Sequence, residues 1–114
     1  MKLSFFLLLF LIIACTNSQI PNPTCDTSQS STFSSDVFPL IQQKCLSCHD
    51  SANHFGGIVL ETYEQLKESA ASGELYDSVV SINGYAPRMP KGGKLSDCEL
   101  IVLKNWILAG MPKN

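Results

Sequence analysis

The chain has 114 residues, with eight Lys and Arg against ten Asp and Glu for a formal charge of −2. That length supports one folded domain, and the mildly acidic balance excludes the basic surface that nucleic-acid binding demands. Five cysteines in so short a chain require an account, because exported thiols are usually oxidised or ligated.

In chain order, Lys2 is followed by an apolar run from Leu3 to Ala14, interrupted only by Ser4. This is the charged start and apolar middle of a secretory signal, and it is shorter than the ~20 residues a membrane-spanning helix needs. The run ends Ile12-Ile13-Ala14-Cys15, which resembles the lipobox of bacterial lipoproteins. Residues 1–14 are therefore expected to be a signal peptide, and Cys15 the acylated N-terminus of an exported, membrane-anchored lipoprotein facing the periplasm. An ordinary signal peptide that happens to end near a cysteine is the alternative. Residues 15–32, rich in Ser, Thr, Asn, Gln and Pro, read as a tether without a packed element of its own, so the domain is expected over 33–114.

A first helix is expected from a cap at Ser34 or Ser35 through Lys44, with Val37, Leu40, Ile41 and Cys45 on one face. Pro39 fits that helix only in its first turn. Further helices are expected over Thr62–Ala71 and Leu75–Val80, with Gly73 between them. The last helix has the clearest signals: a Ser96-to-Glu99 capping box, a Leu95–Leu100 staple, and a stop at Gly110 and Pro112. Its many apolar residues require cover on most sides, with the first helix and a cofactor as its expected neighbours. No stretch alternates as a strand would, and the domain is expected to be all-α.

Cys45-Leu46-Ser47-Cys48-His49 closes the first helix. This C-x-x-C-H spacing puts two thiols about one turn apart, where both can add across the vinyl groups on one haem edge, with the imidazole carried under the iron. A redox dithiol would want a βαβ setting that this helical pattern lacks. A zinc site would have to recruit Cys25, Cys98 or His54 as a fourth ligand.

From Phe33 to Pro112 the chain resembles small monohaem cytochrome c domains of the bacterial lipoprotein kind. The resemblance rests on the C-x-x-C-H pentapeptide, Gly56-Gly57 before an apolar triplet, Arg88-Met89-Pro90, and Leu95-Ser96-Asp97 leading into a helix with Trp106 that ends at Gly110. It implies three to five short helices around one covalent haem c, with the N- and C-terminal helices packed together. It also implies Met89 as the axial ligand opposite His49. One departure is that the first helix lacks the glycine that some cytochromes place where the terminal helices cross. Met111 is expected to be terminal packing, His54 a surface or second-shell group, and Phe55, Ile58, Val59, Leu60, Tyr63 and Trp106 candidate walls of the pocket.

With His49 and Met89 both on iron no position stays open, which describes an electron carrier rather than an enzyme. The competing readings are a haem sensor or peroxidase-like enzyme with an open distal side, and a lipoprotein that uses haem only to complete its core. The redox partner protein is not specified by sequence. The lipid on Cys15 would supply the membrane contact, and nucleic acid is not expected. Cys25 and Cys98 remain for a disulfide, the alternative being two free thiols.

Overall fold

The computed structural model describes residues 25, 26 and 28–114; Cys15 and residues 1–24 lie outside them. Among the described residues the fold is all-α, with no strand and a single isolated bridge between Ile82 and Tyr85. A π turn (Phe33–Val37) runs into α1 (Phe38–Lys44) and α2 (Leu46–His49), followed by α3 (Tyr63–Ala71), α4 (Glu74–Val79) and α5 (Asp97–Leu108). No described helix is long and apolar enough to cross a membrane.

The first helix starts earlier than Ser34. Thr32 is its cap, accepting from the Ser35 N–H, while the Asp36 carboxylate accepts from the Thr32 N–H at 2.8 Å. The opening turn is wide, with the Phe38 N–H reaching the Phe33 carbonyl. Pro39 accounts for that widening: it has no N–H to donate, and in a regular helix its ring would meet the Ser35 carbonyl. Beyond the proline the helix is regular and buries Leu40 and Ile41.

Both longer helices are closed at their N-termini by reciprocal capping boxes, Thr62 with Gln65 and Ser96 with Glu99. Each satisfies donors that a helix start leaves orphaned. Gly73 separates α3 from α4 in the left-handed region, at φ 85°, which glycine adopts without strain. At the end of α5 the Met111 N–H reaches the Trp106 carbonyl at 2.8 Å and the Gly110 N–H reaches Ile107 at 3.1 Å, a Schellman stop.

The core joins the two ends of the domain. Trp106, Ile41, Leu66, Leu103 and Val37 are fully buried. The Phe33 ring lies 5.2 Å from Tyr63, 5.1 Å from Phe38 and 6.5 Å from Trp106. The π turn therefore meets α5 through aromatic rings. The tail locks this junction: Phe33 and Ser34 donate their N–H groups to the carbonyls of Pro112 and Lys113, and the Trp106 indole donates to Pro112 at 2.9 Å.

Residues placed in the tether by composition lie against α5 where they are described. Cys25 is disulfide-bonded to Cys98, the Asn105 amide donates to the Gln29 carbonyl, and Ser31 is buried. This polar segment covers part of the apolar α5 surface, yet Leu108 remains 74% exposed.

Candidate functional site

The pentapeptide forms a short helix of its own. Cys45 sits at the break between α1 and α2, its N–H bonded to Ile41 and its carbonyl accepting from Cys48 and His49 at 3.1 and 3.0 Å. This turn brings both cysteines to the lining of one cleft. Neither Cys45 nor Cys48 is in a disulfide. Burial pushes the Cys45 thiol up to about 11, so it is protonated at neutral pH, unlike the low-pKa thiolates of redox dithiols.

His49 is 7% exposed. After α2 the chain turns through Gly56 and Gly57, both at positive φ, and returns across the histidine. The Leu60 N–H donates to the His49 carbonyl at 2.8 Å, and His49 Nδ1 lies 3.2 Å from the Ile58 carbonyl. A proton on Nδ1 makes that second contact a hydrogen bond and leaves the Nε2 lone pair available, as in histidines that bind metal through Nε2.

Met89 arrives from the loop between α4 and α5. Its backbone N–H donates to the Ser78 carbonyl at 2.8 Å, so α4 holds the segment. Cys45, Cys48, His49 and Met89 line a single cleft of about 450 Å³, together with Phe55, Ile58, Pro90 and Lys91. An adjoining hollow of about 210 Å³ shares Cys45, His49, Ile58, Met89 and Lys91 and adds Leu60, Leu75 and Val79, with Ser69, Glu74, Ser78 and Arg88 as its polar lining. The larger volume is within the ~300–1,000 Å³ range of cofactor sites, and the walls are mainly apolar.

Other expected residues lie elsewhere. Tyr63 and Trp106 do not wall the cleft; they belong to the Phe33 cluster, with the Tyr63 hydroxyl donating to the Met111 carbonyl at 2.8 Å. Among the described residues, none of α5 lines either hollow, because its aromatic face is taken up by the π turn. Val59 lies in a shallower neighbouring depression, and exposed His54 contacts the Ser51 carbonyl through Nδ1. Met111 packs at the end of the core.

Sequence reasoning missed Leu75 and Val79, whose four-residue spacing on α4 was the available signal. It also missed the Ile58 and Ser78 carbonyls, for which backbone contacts leave no signal in residue type. The Cys25–Cys98 bond removes two of the three candidates for a fourth zinc ligand, and no group of three or more His, Cys, Asp or Glu side chains suited to a metal occurs among the described residues. No protein-family model, curated protein or solved structure matches the chain. The residues of the cleft are therefore the basis for any functional reading.

Proposed function

We propose that this chain is an exported electron carrier holding one haem c, attached through Cys45 and Cys48 and ligated by His49 and Met89, in a cytochrome c-like domain anchored to the membrane by a lipid on Cys15. The observation that carries this reading is the meeting of two unbonded cysteines, a buried histidine and a methionine on one largely apolar cleft. The donor set fits the group. Thiols serve for covalent attachment, and imidazole with thioether is a known axial pair for one-electron chemistry, in which the thioether raises the reduction potential. When bound, the haem would supply a one-electron couple.

The chain's own contributions are positional. The Ile58 carbonyl holds the Nδ1 proton of His49 and orients the ring, while Ser78 fixes the backbone of Met89. Ile58, Leu60, Leu75 and Val79 give the hollow an apolar wall, which would lower the dielectric beside a bound haem and favour its less charged redox state.

The test is the mature protein made in a host that matures c-type cytochromes. Intact mass should exceed that of the polypeptide by one haem in addition to the lipid on Cys15, the haem should stay attached on denaturation, and the oxidised and reduced absorption spectra should be those of a six-coordinate c-type site. A polypeptide mass without haem overturns the proposal. Ready carbon monoxide binding by the wild type would replace the carrier with the open-site sensor or enzyme.

A further inference from the structure

Two thiols and a thioether line the larger cleft, and no carboxylate does. Cys45 and Cys48 are half-buried, and neither is in a disulfide. They stand three residues apart at the start of α2, with the Cys48 N–H donating to the Cys45 carbonyl at 3.1 Å. Side chains at that spacing are neighbours, about 5–6 Å apart at Cβ, which allows one ion to sit between two sulfurs. Met89 reaches the same cleft from the loop after α4, its backbone held by the Ser78 carbonyl.

The type and number of donors select the ion. Magnesium and calcium take oxygen ligands, which the lining does not offer. Zinc asks for four donors, yet no three His, Cys, Asp or Glu side chains converge among the described residues. Glu74 lines the adjoining hollow and not the cleft. Cu(I) is soft and prefers thiolate and thioether sulfur, and two or three such donors complete its shell. Two thiolates around Cu(I) leave one net negative charge. The Ser47 hydroxyl donates to the Cys48 sulfur at 3.9 Å and Lys91 lies in the lining; both favour the thiolate form.

We infer that the haem-free chain holds one Cu(I) ion between the sulfurs of Cys45, Cys48 and Met89. On binding, two S–H bonds break, three Cu–S bonds form and two protons go to solvent, with no change of oxidation state. Haem attachment consumes both thiols, so the two occupants exclude each other and the copper site belongs to the chain before attachment. The inference therefore stands apart from the carrier reading, which is tested on the mature protein.

The experiment uses the haem-free full chain carrying Cys15→Ser, which removes the thiol outside the described residues. Cu(I) is offered anaerobically against a chromophoric Cu(I) chelator, without thiol reductant, so that the Cys25–Cys98 bond stays closed. This parent chain should withdraw one ion, protect both cleft thiols from iodoacetamide, and give a copper X-ray absorption spectrum with a shell of three sulfurs. Cys48→Ser should weaken binding by more than about a hundredfold, and Met89→Ala by roughly tenfold with a two-sulfur shell. Replacing Cys25 and Cys98 together with serine should leave affinity unchanged. The X-ray absorption of the parent chain is read without any variant having to fold. No copper withdrawn, nitrogen or oxygen in the shell, or parent affinity in Cys48→Ser or Met89→Ala overturns the site, as does lost affinity in the Cys25 and Cys98 double variant.

Discussion

At the residue scale, two groups act through what their environment withholds from them. His49 has one ring nitrogen committed to the Ile58 carbonyl, so only the other is available to a ligand. Cys45 is pushed up to about 11 by burial, from an ordinary value of 9.0, so at pH 8 its thiolate fraction is about one hundredth that of an exposed thiol. Iodoacetamide should therefore label Cys45 slowly in the folded, haem-free chain, with a rate that climbs as pH rises toward 11. Labelling as fast as that of a free cysteine peptide at pH 8 would refute the burial effect. The two late methionines separate in the same way. Met89 lines the cleft, whereas Met111 occupies the stop of α5. If the proposed haem is bound with Met89 on its iron, Met89→Ala should abolish the sulfur-to-iron charge-transfer band of the oxidised form, lower the reduction potential and admit carbon monoxide, while Met111→Ala should retain the band. An unchanged spectrum and potential in Met89→Ala would exclude that sulfur from the iron.

At the scale of elements, what was legible depended on how local the determinant is. The start and stop of α5 follow from neighbouring residues, Ser96 with Glu99 and Gly110 with Pro112, so sequence located them. The π turn was not legible, because its position depends on how Thr32, Asp36 and Pro39 act together. Glu99 carries more than the cap: it accepts from the Ser96 N–H at 2.7 Å and pairs with Lys44, joining α5 to α1. Burial raises its pKa, but the bonds from Ser96 and the charge of Lys44 outweigh that, and the carboxyl lies below its ordinary value of 4.5. The folded state therefore prefers the carboxylate, and this contribution is present above about pH 4.5 and lost as pH falls through the lower folded value. Melting temperature measured from about pH 6 down to about pH 3 should fall more for wild type than for Glu99→Gln, and parallel curves would disprove the linkage. Ser96→Ala should cost about 1 kcal/mol at neutral pH in chemical denaturation, and a loss below about 0.3 kcal/mol would mean that water replaces the cap.

At the scale of the whole molecule, the cysteine, histidine and methionine candidates were legible because each is a chemically distinct residue at a telling spacing. The cleft walls were not, because apolar residues destined for the Phe33 cluster and for the cleft look alike in sequence. Composition also placed residues up to 32 in a tether, although the described residues from Ser28 to Thr32 follow the bonded Cys25 along α5. Those side chains are polar, and what holds them is a disulfide, a carbonyl acceptor at Gln29 and the Thr32 cap, none of which depends on hydrophobicity. The Cys25–Cys98 bond spans 73 residues, so it closes the chain from Cys25 to the first turn of α5 into one covalent loop. In the chain-entropy account a loop of that length stabilises the fold by about 4 kcal/mol, by restricting the unfolded chain. Replacing both cysteines with serine avoids a stray thiol and should lower the denaturation free energy by an amount on that order, while leaving any absorption spectrum of a group held in the cleft unchanged, because neither cysteine lines it. The slope with denaturant should rise, since an uncrosslinked chain exposes more surface on unfolding. A double variant as stable as wild type, or wild-type protein in which both thiols alkylate without reductant, would show that the N-terminal segment is held by its hydrogen bonds alone.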